Sequence, residues 1–587
     1  SISAPELVNN GIVQGNSALQ LTTRNLFNGQ QGQLVSGAGL DLGLDMLENH
    51  GLLLTNTDFT LRGSKLINAG DIQADSLNLT LANSVENQGS MVAKQGASMN
   101  TASLDNRGTL AAKSVTLDGK SIRNSGLVQS NDNTSVSANT FITDTAGKWL
   151  AGNALLVHSG AMENAGVLQG DTLTFTADSL NNSGVFNGLH GLEGKLSGRL
   201  TNPGHIQSGG ALTLTADDIN SAGRITGDRL TLAASTLNNT GLWQGTNGLT
   251  LAGDVLTTGI TSRTLSGGAL SVNAGTITTQ GTLQGQQLTL TADDWLHKGS
   301  LISLGNLTAD VNNGLTTSGE VMSHGGMSLT AQQLDNSGKL LSESDVTLDG
   351  VQLNNSGTVQ GNTLTLQQNR IHNQGTLTGL QSLTLEARQR LMARMAMASP
   401  QQELINAAGG SLLTQGTLKL SSGEVTNNGV WQGQSVLLNA QTLTNNGAIQ
   451  SADALQLTLA NNLTSAAGSK ITALGNATLQ ALSLANAGQW TAKNLTLKGT
   501  TLDNSAAISG VNAFTLAMNG AVRQQKAGSM LSGGALDLTA ASVTNEGKIQ
   551  GATLGMTTGA LTNSGRLQGD NGATLSLSGD LINQASG

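Results

Sequence analysis

Two pairs of carboxylates are the first candidates for chemistry. Asp217-Asp218 and Asp293-Asp294 are of the type that flanks a glycosidic bond in polysaccharide-cleaving enzymes. The pairs lie 76 residues apart, so they form one site only if the fold brings them together. The seven histidines (His50, His158, His190, His205, His297, His324, His372) are scattered without ligand spacing. Cysteine is absent, which removes thiolate metal sites and disulfides. There is no calcium-binding Gly-Gly-x-Gly-x-Asp nonapeptide, no nucleophile elbow and no phosphate loop. The reading is a non-enzymatic chain without catalytic, cofactor or metal residues.

One stretch has a contact chemistry of its own. Residues 387–403 hold Arg388, Arg390 and Arg394 together with Met392, Met395 and Met397. Ala, Arg, Met and Gln are strong helix formers. Arg390 and Arg394 stand four apart, as do Leu391 and Met395, so a helix would carry a basic stripe beside an apolar one. Pro400 would end it. The segment is expected to protrude as a short helical insertion, with Arg388, Arg390, Met392, Arg394 and Met395 as possible partner contacts. The plainer alternative is a helix packed flat, sealing an imperfect coil.

The rest of the chain must position these groups, and it is a repeat. An apolar residue, then Asn-x-Gly, then an apolar residue two places on recurs about every 19 residues. The glycine falls at Gly51, Gly70, Gly89, Gly108 and Gly126, and later at Gly319, Gly338, Gly357 and Gly375. A fixed short period over a whole chain means a solenoid. Each unit also holds a Leu-Thr-Leu run such as Leu212-Thr213-Leu214, whose period of two marks a strand with one buried face. Two or three short strands in 19 residues fit one coil of a parallel β-helix. At ~4.8 Å per coil, the two acidic pairs would be ~19 Å apart, too far for a shared site.

Within a coil, three roles are readable. The marker glycine is expected to supply a positive φ at the turn. The marker asparagines (Asn68, Asn87, Asn106, Asn124) should stack as a ladder of amides. The position two after the glycine should stack as an apolar column, and it holds Trp149, Trp243, Trp431 and Trp490, four of the five tryptophans. Core packing is favoured over an aromatic ligand platform, because tryptophan replaces isoleucine and leucine there. A three-coil period overlies the single one (Gly126, Gly184, Gly241, Gly299, Gly357), without an evident reason. The phase is lost between Gly375 and Gly409.

Composition narrows the partners. Net charge is −9, with 28 basic against 37 acidic residues and no run of cations along the chain. Nucleic acid and anionic membranes are therefore disfavoured. No apolar run approaches the ~18–20 residues of a bilayer span. The N-terminal Ser1-Ile2-Ser3-Ala4-Pro5 is not a signal peptide, and the repeat is already under way there, so a fragment of a longer array is expected.

The repeating unit, as in Leu353-Asn354-Asn355-Ser356-Gly357-Thr358-Val359-Gln360-Gly361, resembles the filamentous haemagglutinin repeats of two-partner-secreted exoproteins, most of all the CdiA-type effectors of contact-dependent growth inhibition. The resemblance covers essentially the whole chain. Val85-Glu86-Asn87-Gln88 is similar to the pretoxin Val-Glu-Asn-Asn motif but lies in register with the repeat. The resemblance implies an all-β, single-stranded right-handed parallel β-helix over residues 1–587, secreted to the surface of a Gram-negative cell by an outer-membrane transporter partner. The expected function is a filamentous stalk that presents a receptor-binding or toxin-delivery region. The alternative is an adhesin module that itself contacts a receptor or glycan on a target cell.

Overall fold

The computed structural model describes residues 1–386 and 402–587. The chain divides into two units, Ser1–Gln286 and Gln287–Gly587. Each is a parallel β-solenoid, and no helix occurs among the described residues.

A coil of the first unit shows why these residues take this form. The strand His205–Ser208 is followed by Ala211–Ser221 and then by Arg224–Asn239, which begins the next coil. Stacking is parallel and in register: Ile206 lies beside Ile225 and Trp243, Leu212 beside Leu230 and Leu249, Leu214 beside Leu232 and Leu251, and Ile219 beside Leu237 and Leu256. All are buried. Each of these coils thus contributes four large apolar side chains to the core, each stabilising by roughly 1.5–3 kcal/mol on full burial. The second unit repeats the scheme, with Val346, Leu364 and Leu383 in one column and Val359, Leu377 and Leu412 in another.

The expected amide ladder is present. In the first unit Asn9, Asn28, Asn49, Asn68, Asn87 and Asn106 each donate from Nδ2 to Oδ1 of the next, ending at Asn124, at 2.6–2.8 Å. In the second unit Asn336, Asn355, Asn373, Asn406, Asn427 and Asn445 do the same at 2.7–2.9 Å. Backbone carbonyls share the donors: Asn68 Nδ2 also reaches Gly70 O and Ser90 O, both at 3.1 Å. Buried amides are thereby satisfied rather than left to cost stability.

Most marker glycines serve a different end from the one expected; Gly409 and Gly468, also markers, do supply a positive φ. Positive φ occurs only at Gly409, Gly468 and Gly572 among the described residues, and no other residue type adopts it. The usual marker needs glycine because the coils approach closely. A Cβ on Gly89, Gly184, Gly357 or Gly447 would fall under 3.0 Å from the carbonyl oxygen of Gly70, Gly166, Gly338 or Gly429, one coil earlier. Glycine here serves close backbone approach, its other use.

The three-coil period has a structural counterpart. In the second unit the corner lengthens into a hydrogen-bonded turn at Ala407–Gly410, Ala466–Ser469 and Gln525–Gly528, with closing bonds of 2.9, 3.1 and 2.8 Å. These turns start 59 residues apart. In the first unit the equivalent turns start at Gly29, Asp144 and Gly259, spaced 115 residues. Every third coil, or every sixth, takes the longer corner.

The phase is not lost after Gly375. Arg370–Asn373 pairs with Glu403–Asn406, and Thr376–Glu386 pairs with both Ser411–Thr414 and Thr417–Ser421. Glu403 therefore belongs to a strand rather than to an insertion ending at 403. The rest of the expected helical insertion, residues 387–401, lies outside the described residues.

Candidate interaction surface

Chemistry would need side chains that the stack has not already used. The tryptophans are used: all five are fully buried. Trp149 Nε1 donates to Thr143 Oγ1 at 3.0 Å and Trp490 Nε1 to Ser465 Oγ at 2.8 Å. In both cases the partner stands in the ladder column where asparagine is usual. The column is core, not a ligand platform.

The acidic pairs lie within strands rather than in turns, and each partners an adjacent coil. Asp218 Oδ2 accepts from Arg199 Nε at 2.7 Å. Asp293 accepts from Asn312 at 2.8 Å, and Asp294 from the Gly314 amide at 3.2 Å. No carboxylate–carboxylate dyad is formed at either pair. No group of three or more His, Asp or Glu suited to a metal occurs among the described residues. The shallow cavity nearest to a polar cluster, about 230 Å³, is lined by Asp335, Asn354 and His372. There the Asp335 carboxylate accepts from Asn354 at 2.6 Å and from Gln333 at 2.7 Å, so it is held as an acceptor with no nucleophile bonded to it.

The surface charges divide into paired and unpaired groups. Arg62 binds Asp41 at 2.7 Å and Arg123 binds Asp144 at 2.7 Å, both across one coil. Hydrogen bonds and charge from Asp105 and Asp144 push the Arg107 and Arg123 guanidinium pKa values further up. Such exposed pairs contribute little stability.

Another set has no such partners. Lys148, His205, Arg224 and Arg263 open the strand segment that follows the marker corner, and all four are exposed. Stacking joins them on one face: Lys148 is followed in register by Val167, Val185, His205, Arg224, Leu242 and Arg263. No carboxylate occurs in the first four residues of these strands, from Lys148–Ala151 to Thr282–Gly285; Asp171 and Asp228 stand next beyond them. Two positions further along stand the amides Gln169, Asn187, Gln207 and Gln244, with Leu150, Thr226 and Leu265 in the same place beside Lys148, Arg224 and Arg263. Asn187 bonds Gln169 at 3.1 Å while Gln207 bonds Asn187 at 3.3 Å. The absence of a cation run in the sequence conceals this face, because neighbours in the stack are about 19 residues apart. Reading the residue after each marker glycine as its own column would have found Lys148, His205 and Arg224, but not Arg263, which follows Ser262.

The expected contacts Arg388, Arg390, Met392, Arg394 and Met395 lie outside the described residues. No described helix is long and apolar enough to cross a membrane.

Comparison with known proteins gives this arrangement a context. The haemagglutinin repeat family model matches residues 1–43, 47–118, 169–234, 287–379 and 344–391. A tRNA nuclease CdiA of Escherichia coli strain NC101 is 46% identical over 328 residues, 56% of this chain and 10% of that protein. A 16S rRNA endonuclease CdiA of Enterobacter cloacae is 39% identical over 498 residues, 81% of this chain and 14% of that protein. A deoxyribonuclease CdiA of Dickeya dadantii is 28% identical over 472 residues, 75% of this chain and 14% of that protein. The chain therefore spans a small part of the curated relatives it matches. No solved structure matches it.

Proposed function

From the premise that this chain is a haemagglutinin-repeat region of the CdiA kind, we propose that it is a stalk segment of an exoprotein that acts in contact-dependent growth inhibition. Proteins with these repeats are secreted to the Gram-negative cell surface, and a two-partner transporter in the outer membrane is the export partner this family implies. The segment holds a receptor-binding or toxin-bearing region, encoded elsewhere, away from the producing cell.

The observation that carries this reading is that three relatives named for three different nucleic-acid substrates share the same repeat region. The activity in those names is not tied to the part they have in common with this chain. The chain's own side chains agree, since asparagine, glycine, leucine and tryptophan are spent on stacking. We assign it no enzymatic activity. Absence of disulfides also suits passage across the outer membrane unfolded, and coil-by-coil refolding suits a one-dimensional repeat.

The test is a register-preserving deletion of residues 185–241, three coils, in the full-length exoprotein. Retained surface display and retained inhibition of target cells are expected. Normal display with inhibition abolished would move recognition into this segment.

A second reading has one specific observation behind it. Asn373 and Asn406 are neighbours in the ladder although 33 residues separate them, so the coil between them holds more chain than its stack consumes. Segment 387–401, the expected 387–403 insertion without its stacked end, with Arg388, Arg390, Met392, Arg394 and Met395, is then a receptor or glycan contact. Replacing it with Gly-Ser should abolish saturable binding of the labelled chain to target cells. Equal binding by both forms would reject it.

A further inference from the structure

We propose that the face carrying Lys148, His205, Arg224 and Arg263 binds a linear acidic polysaccharide. This goes beyond the stalk reading, which requires no ligand. His205 and Arg224 occupy adjacent coils, and Arg263 lies two coils past Arg224. With coils ~4.8 Å apart, the cations recur at about 5 and 10 Å. A polyuronate offers one carboxylate on each sugar ring, at a repeat of that order along an extended chain. The guanidinium groups supply forked donors that match a carboxylate.

These cations are distinguished by being both unpaired and stacked in one column. Arg62, Arg107, Arg123 and Arg199 each have an aspartate within ion-pair distance. Among the described residues no ion pair involves Lys148, His205, Arg224 or Arg263, and no carboxylate lies in the four-residue segments they open, although Asp228 follows in the strand of Arg224. In a chain of net charge −9, that makes a local positive field next to the amides of Gln207 and Gln244, which can bond sugar hydroxyls.

The same surface is poorly made for other polyanions. Nucleic-acid single strands are held by stacking on exposed aromatics, and here every tryptophan is buried and tyrosine is absent. Membrane-surface binding joins basic residues to a broad exposed apolar face, whereas the apolar side chains between these cations, Val167, Val185 and Leu242, are half-buried in the column.

The 587-residue chain, titrated with sodium alginate at low ionic strength, should bind saturably and lose affinity steeply as salt rises. The double variant Arg224→Gln/Arg263→Gln should bind at least tenfold more weakly. Arg123→Gln, which removes a paired cation, should bind as the parent does. Dextran should not bind. Circular dichroism should be unchanged in both variants, because all three side chains are exposed. Absence of alginate binding at low salt would overturn the proposal. So would equal loss in Arg123→Gln, or tighter binding to single-stranded DNA or phosphatidylglycerol vesicles than to alginate.

Discussion

Asn373 Nδ2 donates to Asn406 Oδ1 at 2.8 Å across 33 residues of chain, the same distance as to Asn373 from Asn355, which is only 18 residues away. The ladder is indifferent to how much chain a coil contains, provided its marker returns to the column. Stack geometry, not sequence period, is the conserved quantity along each unit. The consequences below concern what holds that column and what would break it.

The amide column should be the most sensitive polar feature. Asn355 is buried, accepts from Asn336 at 2.7 Å and donates to Asn373. Asn355→Ala leaves an Asn336 donor and an Asn373 acceptor without that partner, in a site closed to water. A loss of ~2–4 kcal/mol is expected, since each orphaned buried group costs about 1–3 kcal/mol. Urea unfolding monitored by circular dichroism checks it. Asn354→Ala, one residue away and outside the core, should cost under ~1 kcal/mol.

The glycines separate by position in the coil. Gly357→Ala would push a methyl group against the Gly338 carbonyl and the Ser337–Gly338 backbone of the preceding coil. It should destabilise by several kcal/mol or prevent local stacking. Gly43→Ala meets nothing within 4 Å and lies in the strand Leu40–Asn49. It should be neutral or raise the melting temperature slightly, because alanine has less unfolded-state freedom to lose. Comparable destabilisation by both would refute the close-approach account.

These pairs of residues also show what the sequence could and could not convey. The period, the Asn column and the Ile/Leu/Trp column were legible because each depends on one residue type returning to one place. The reason for the glycines was not, because a turn and a close approach both select glycine and only coordinates separate them. The basic face escaped for a different reason. Arg224 and Arg263 are 39 residues apart, and charge patterning along a sequence detects neighbours at short separations, whereas solenoid neighbours stand about 19 apart. The longer corners at Ala407–Gly410 and Ala466–Ser469 were visible only as irregular spacing until their closing hydrogen bonds gave them a form.

The buried tryptophans predict a contrast. Trp490 Nε1 is bonded to Ser465 Oγ, whereas Trp243 Nε1 is buried without a partner. Replacement by phenylalanine removes similar volume from each core. Trp490→Phe additionally strands a hydroxyl, so it should be worse than Trp243→Phe by about 1 kcal/mol. Paired chemical unfolding curves measure the difference, and a reversed order would count against the assignment of the Trp490 bond.

His297 makes local stability depend on pH. It occupies the ladder column in the second unit, fully buried, with Nε2 3.2 Å from Glu320 O and its ring 5.5 Å from that of Trp295. Burial lowers its pKa below the usual 6.5, outweighing the carbonyls of Glu320 and Gly299, which pull it up. The nearby charged side chains are Lys298 on its own segment and Glu320 on the next coil. Because the folded-state pKa is the lower one, the unfolded chain takes up the proton first as pH falls. The stabilisation is therefore present in full above about 6.5, and it declines as pH drops from there toward the folded-state pKa. Amide hydrogen exchange over residues 295–320 should accelerate between pH 7 and 5.5, after correction for intrinsic exchange rates. His297→Asn, the residue usual at this position in the ladder, should abolish that pH dependence. An unchanged profile in the variant would assign the effect to carboxylates instead.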